Sequence, residues 1–398
     1  MVNAAKEKLV IILILTLALG QLVRIPIEYQ GLQSIYITPF DLIAVILVTL
    51  WIMSRPNLAQ AELAQPIAIF AGLALLSLVV NARNLLSNEL IASSLYFFRW
   101  LMLTSLYFIV KDFTLQFKKR LLGWLALSGM LVVLAGIIQY FFYPDLRNLY
   151  YAGWDEHLYR VFSTFLDPNF VGAFFVLNFI LMLVLALHTR SVAWKFRILV
   201  IGAVLTLVAI LLTYSRSAYA MFFVTNIMLL LLTKKKMLLI FMAVFIIGII
   251  LLPKNLPGEG VNLARTASVA ARQQSMERAV KIWQDHPLFG IGFNAYRYAQ
   301  KQYGFLPEDN WQTLHSAAGT DNSFLFVAST TGTVGLLSFF YLCYSILRIT
   351  WRQKQRQISQ VVLVSVVGIL VNSLFINSLF FESILAWIWI LVGIREKN

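Results

Sequence analysis

The sequence predicts an all-α integral membrane protein: about twelve transmembrane helices and one long extramembrane loop that itself contains helices. Three observations carry this. Of 398 residues, 60% are hydrophobic, and the mean hydropathy is +0.78. Only 13% are charged, about half the share of an ordinary soluble domain. The apolar residues also fall into runs near the ~20 residues that a spanning helix needs. No single soluble domain could hide so much apolar surface, and disorder is excluded because disordered chains are poor in aromatics and rich in charge.

Twelve candidate spans follow in order, at 9–23, 38–53, 66–80, 91–110, 121–142, 169–187, 198–214, 217–232, 237–252, 321–347, 360–376 and 379–394. The first is expected to be retained. It lacks a small-x-small cleavage site, and Gln21, Arg24 and Pro26 follow it. Three regions result: a bundle at 1–252, an extracytoplasmic loop at 253–320 and the last three spans at 321–398.

A net charge of +14 would suggest nucleic acid in a soluble protein. Placement argues otherwise. With the N-terminus inside, nineteen of the 32 basic residues fall in cytoplasmic segments. Among them are Lys118, Lys119, Arg190, Lys234, Lys235, Lys236, Arg395 and Lys397. Only Arg24, Arg83, Arg147, Arg160 and Arg216 lie in the opposite short segments. This is the asymmetry of the positive-inside rule, and an even span count returns the C-terminus to the cytoplasm. Most of the charge is therefore topology, and no nucleic-acid partner is expected.

One basic residue, Arg99, lies inside the fourth span, and seven (Lys254, Arg265, Arg272, Arg278, Lys281, Arg297 and Lys301) lie in the loop. That loop opens on turn signals at Pro253 and Pro257-Gly258. Residues 263–284 then read as a helix of weak amphipathic spacing, ended by His286-Pro287. There is no internal repeat, Walker motif or dinucleotide motif. The single cysteine, Cys343, allows no internal disulfide and reads as a small core residue.

Several polar residues stand where a membrane makes them expensive. In Thr213-Tyr214-Ser215-Arg216-Ser217-Ala218 two apolar runs abut, so Arg216 sits at the membrane boundary or in a broken helix. It either snorkels to the interface or binds an anion. Arg265 and Arg272 are seven apart, about two turns, and would share a helix face. That face is either a solvated basic surface or a phosphate clamp, since a guanidinium can take two phosphate oxygens at once. Arg99 reads either as a buried partner of an acidic residue or as a further ligand. Arg160 adds a cation on the same side. Asp167-Pro168-Asn169 reads as a helix start. His315 is the best-placed titratable group, with His157 a looser candidate. His188 lies on the cytoplasmic side, and His286 marks a helix end. Asp321 reads as an N-cap or as a site residue, and Gly332 and Gly335 read as helix-packing residues.

Cations and titratable groups thus converge on the outer face of a multi-span bundle, which suits an anionic lipid headgroup such as a diphosphate. In this setting the order of motifs resembles the O-antigen ligase and polymerase superfamily of bacterial envelope glycosyltransferases. Tyr214-Ser215-Arg216 is followed by Arg272 and by His286-Pro287-Leu288-Phe289-Gly290-Ile291-Gly292. Asp321-Asn322-Ser323 then leads to Thr331-Gly332-Thr333-Val334-Gly335, and Asp167-Pro168-Asn169 fits a further recurrent motif. One departure is clear: the family usually has His immediately before the Asn, where this chain has Asp321, with His315 six residues earlier.

The resemblance implies a GT-C-like bundle in the bacterial inner membrane, with its active site facing outward. It implies transfer of a glycan from a polyprenyl (undecaprenyl) diphosphate to an acceptor hydroxyl on a glycan or lipid A-core, with inversion. Arg216 and Arg272, backed by Arg265, Arg99 and Arg160, would bind the diphosphate, and His315 or Asp321 would take the acceptor proton. No cofactor is expected. No metal is expected either, because the sequence shows no Asp/Glu/His cluster of ligand spacing. A polymerase joining lipid-linked repeat units is the alternative. A transporter of an anionic lipid-linked substrate is a remoter one, since the loop has no counterpart in the first half of the chain.

Overall fold

The computed structural model describes all residues except 1, 28–34, 59, 153, 190–191, 254–255, 310, 313 and 397–398. Arg190, Lys254 and Lys397, counted above, lie outside the described residues. Among the described residues there are fourteen α-helices. Those in the first half are α1 (Val2–Thr16), α2 (Pro39–Met53), α3 (Ala64–Asn81), α4 (Ser87–Lys111), α5 (Leu115–Phe142), α6 (Pro168–His188) and α7 (Ala193–Leu212). The others are α8 (Arg216–Thr233), α9 (Met237–Leu251), α10 (Ala267–Asp285), α11 (Tyr296–Gln302), α12 (Ser323–Trp351), α13 (Gln357–Asn372) and α14 (Glu382–Arg395). A helix stands on each of the twelve apolar segments, and α10 and α11 lie between α9 and α12. Among the described residues seven helices are long and apolar enough to cross a membrane by length and composition, and α2, α9 and α13 are shorter apolar helices. The one sheet among the described residues is a two-residue antiparallel pair, β1 (Ile25–Pro26) with β2 (Tyr36–Ile37).

The chain is a multi-pass membrane protein, and its packing follows from having an apolar solvent. α6 and α14 are buried along nearly their whole length. Surrounding helices bury one face and expose Ile46, Ile52, Val79, Phe98, Ile240 and Leu337 on the other. Exposed apolar surface on this scale marks contact with lipid. Local sequence sets the helix starts. In α2, Thr38 and Asp41 form a reciprocal capping box with Pro39 in the first turn. In α6, Asp167 accepts from the backbone N–H of Asn169 at 2.6 Å and of Phe170 at 3.1 Å, with Pro168 in the first turn.

Two readings are corrected. The loop helix begins at Ala267, so Arg265 precedes it. Arg265 Nη1 donates to the carbonyls of Gly260 and Asn262 at 2.8 and 2.9 Å, and the residue closes a turn rather than sharing a face with Arg272. The cap of α12 is Asn322, not Asp321. The Asn322 side chain accepts from Phe324 N at 2.9 Å and Leu325 N at 3.0 Å.

Gly332 does more than pack. It takes φ 69° inside α12 and breaks the helix there. The segment 287–292 inserts at the break. Ile291 N donates to Ser329 O at 3.1 Å, Gly292 N to Thr330 O at 3.0 Å and Thr333 N to Pro287 O at 2.8 Å. A Cβ at Gly332 would land on the backbone of Leu288, and one at Gly290 (φ 63°) on the backbone of Thr330. Polar groups of α3 complete the wedge. Ser77 Oγ contacts the carbonyls of Phe289 and Thr330 at 2.6 and 2.7 Å, and Asn81 Nδ2 donates to Gly290 O at 3.0 Å. Broken backbone inside a membrane bundle must find such partners.

Candidate active site

The turn between α7 and α8 builds one wall of the site. Tyr214 takes φ 50°, which turns the chain within three residues and sets Arg216 as the first residue of α8. Its guanidinium reaches across to the loop. Nη1 donates to Arg265 O at 3.0 Å, and Nη2 donates to Ser268 Oγ at 2.6 Å. Nε is buried without a hydrogen bond among the described residues.

α10 builds the facing wall. Arg216 and Arg272 line one cavity of about 860 Å³, whose apolar lining comes from Ala220, Val269, Met276, Val280 and Phe375. Among the described residues the Arg272 guanidinium has no hydrogen bond and no ion pair. Burial lowers its proton affinity, the Asp321 carboxylate restores part of it, and Arg216 lowers it again.

Behind these two lie Arg160 and Arg265. Arg160 is buried and donates from Nε to Thr213 O at 2.8 Å. Burial, then the charge of Arg265, pushes its pKa down to about 9. Arg265 is pushed down to about 10 by burial and by Arg216 and Arg272. Four guanidiniums therefore share one field, an arrangement that favours an anion.

Carboxylates face them. Asp321 donates its backbone N–H to Ser275 Oγ at 3.2 Å. Because Asn322 caps the helix, the Asp321 carboxylate makes no hydrogen bond among the described residues. Burial raises its pKa, Arg272 opposes the rise and Asp167 adds to it. Asp155 is pushed up to about 6 by desolvation and by the charges of Asp167 and Asp321.

Asp155, His157 and Asp167 bring one ligand atom each within 4.8 Å of one another. Sequence spacing did not reveal this group, because Asp167 joins it only through the fold of the 143–167 segment. Its residues could geometrically hold a metal ion, but the field opposes a cation. His157 is held neutral, its pKa well below normal, by burial and by Arg160 and Arg265. The i, i+2 pair Asp155/His157 was the one sequence signal for this group, and Asp155 was missed.

Two expected site residues lie elsewhere. Arg99 forms ion pairs with Asp41 and with Glu382, the latter at 2.5 Å, and its Nε donates to Asp41 Oδ1 at 2.8 Å. It joins α2, α4 and α14. His315 stacks on Trp154 with centroids 4.3 Å apart, and its Nε2 is 3.2 Å from Arg24 Nη1. A guanidinium only donates, so this Nε2 is the acceptor and the ring proton sits on Nδ1. The structure thus joins Arg216, Arg272, Arg265, Arg160 and Asp321 in one site, and places Arg99 and His315 at a second pocket.

Residues 201–340 match the family model described as O-antigen ligase. The matched stretch holds the Tyr214-Ser215-Arg216 turn, Arg272, the 286–292 wedge and Asp321, and it supports the superfamily that the motifs resemble. That superfamily comprises membrane glycosyltransferases of ligase or polymerase type. No curated protein matches the chain.

Proposed function

We propose that the protein is an O-antigen ligase-like glycosyltransferase that moves a glycan from a polyprenyl diphosphate to an acceptor hydroxyl at the outer face of the bacterial inner membrane. In this reading the twelve apolar helices span the bilayer, both termini are cytoplasmic, and residues 253–320 form the extracytoplasmic loop. One observation carries it: Arg216 and Arg272 face a single large apolar cavity between α8 and α10, with the unpartnered Asp321 carboxylate beside Arg272. A largely apolar cavity that carries Arg216 and Arg272, with Glu277, Lys281 and Asp285 also on its wall, suits a prenyl diphosphate.

The acceptor oxygen attacks the anomeric carbon and forms the new C–O bond. The bond to the diphosphate breaks, and its electron pair leaves with the lipid diphosphate. Charge grows on that leaving group in the transition state, where fixed guanidiniums in a low-dielectric site are worth most. Arg216 and Arg272 bind it, and Arg265 and Arg160 hold the loop and the turn that present them. Asp321 takes the acceptor proton, an effect typically worth about 10²–10⁴-fold. His315 is the weaker candidate, because its Nε2 already accepts from Arg24. Back-side attack inverts the anomeric centre. The guanidiniums neutralise the diphosphate, so the reaction needs no metal and no nucleotide.

The test uses the full chain in liposomes with a lipid-diphosphate-linked glycan, without nucleotide and with a chelator. Glycan on added lipid A-core, with free lipid diphosphate released, is the expected result. Longer lipid-linked chains from donor alone would replace the ligase by a polymerase. Movement of donor across the bilayer without release would replace the enzyme by a transporter. Loss of transfer on chelation would reassign Asp155, His157 and Asp167 to a metal.

A further inference from the structure

A second cationic pocket lies away from the Arg216–Arg272 cavity. It encloses about 110 Å³, and its polar lining includes Gln21, Arg24, Tyr96, Arg99, Arg297 and His315. These come from the segment after α1, from α4, from α11 and from the turn at 315–318, so only the fold assembles them.

The three arginines are not equally compensated. Arg99 is answered by Asp41 and Glu382. Arg24 and Arg297 have no carboxylate partner among the described residues. The Arg24 guanidinium lies over the rings of Tyr36 and Trp154, at 4.3 and 4.5 Å. Arg297 is only 8% exposed and donates to the carbonyls of Trp311, at 3.3 Å, and of Gln312. Ring faces and carbonyls orient a guanidinium but bring no negative charge. Burial lowers the proton affinity of both groups, and no carboxylate offsets it. Two desolvated cations facing one polar cavity create a standing demand for an anion.

The pocket also adjoins the proposed reaction centre. Trp154, stacked on His315 in this pocket, is followed directly by Asp155, which feels Asp167 and Asp321. His315 and Asp321 are joined by one short turn. The carboxylates are thus linked to this pocket through Trp154 and His315, and to the donor cavity through the charge of Arg272.

We infer that the Arg24–Arg297 pocket is the acceptor subsite and binds a phosphate group carried by the acceptor. The inference rests on the glycosyl-transfer reading above. The phosphate could belong to a second prenyl diphosphate or to a phosphorylated sugar.

The test is equilibrium dialysis of the full chain in nanodiscs with two labelled probes, farnesyl diphosphate and glucose 6-phosphate. Farnesyl diphosphate is first brought to saturation of the donor cavity. A second bound equivalent is expected, either of farnesyl diphosphate or of glucose 6-phosphate. Its affinity should fall at least ~10-fold in Arg24→Gln, recover in Arg24→Lys, and survive Arg272→Ala. Arg297→Gln supplies a second test from another element should Arg24→Gln fail to fold. A second farnesyl diphosphate would identify a lipid-linked acceptor, and glucose 6-phosphate a phosphorylated sugar. A single equivalent in the unaltered protein, or a second one indifferent to both substitutions, would overturn the subsite. The two readings fail separately. Glycan transfer with an acceptor KM unchanged in Arg24→Gln sinks the subsite alone, whereas a second equivalent without any glycan transfer sinks the glycosyltransferase reading and, with it, the acceptor role, leaving only a phosphate site.

Discussion

The Arg216 guanidinium donates to the hydroxyl of Ser268 at 2.6 Å. That contact ties the start of α8 to the first turn of α10 and so fixes the width of the cavity between them. A hydrogen bond to a charged group is worth about 1.5–3 kcal/mol. Ser268→Ala should lower the transfer rate less than Arg216→Ala does, and should speed proteolysis of the 253–320 segment. Limited proteolysis and initial rates check both, and unchanged cleavage would mean that the tether does not hold the loop.

Arg272 offers the cleaner separation of fold from function. It has no protein partner among the described residues, so its loss removes little structure. Arg272→Ala should leave expression unchanged and folding stability within the ~0.5 kcal/mol typical of neutral positions. Transfer should fall by about 10²–10³-fold, as for other oxyanion-stabilising groups. A variant that loses protein rather than activity would give Arg272 a structural role.

Glu382 should behave the other way. Its ion pair with Arg99 joins α4 to α14; Arg99 keeps Asp41, so the cost stays below the about 3–5 kcal/mol of a buried charge left unpaired. Glu382→Gln should reduce the yield of folded protein in the membrane. Normal yield with lost transfer would move Arg99 from the scaffold to the chemistry.

At Gly332 and Gly290 any side chain meets two obstacles, a positive φ and a backbone in contact. Strain in such conformations costs about 1–3 kcal/mol each before the clash is counted. Gly332→Ala should lower the melting temperature and expose the 286–292 segment to protease, whereas Gly72→Ala, where a Cβ meets open space, should change neither.

The carboxylate group predicts an acid limb. Asp155 is pushed up to about 6, so it binds a proton as the pH falls through that value, and the carboxylate field around Asp321 weakens. Transfer should decline below pH about 6, and Asp155→Asn, uncharged at every pH, should be slow throughout and lack this limb. Stability runs oppositely. A carboxyl raised above its unfolded value of about 3.9 opposes folding once ionised. Because the Asp155 side chain is exposed, Asp155→Asn should raise the melting temperature only slightly above pH about 6 and leave it unchanged below pH ~4. A pH–rate profile identical in the variant would separate Asp155 from the reaction.

Sequence by itself determined the all-α membrane class and where the apolar helices run, because hydropathy over some twenty residues is a local property that the bilayer reads directly. It also singled out Arg216, a cation where two apolar runs abut, and Arg272, a cation on the predicted loop helix. Tertiary structure decided which of these polar groups meet. Arg99 found Asp41 and Glu382, residues 58 positions before and 283 after it, and His315 found Arg24 and Trp154. The wedge at Gly332 likewise depends on segments far apart in the chain, and the Asp155–His157–Asp167 group on how one loop folds back on itself. Charges and hydrogen bonds act over a few ångströms in space, and only the packed helices determine which residues come that close.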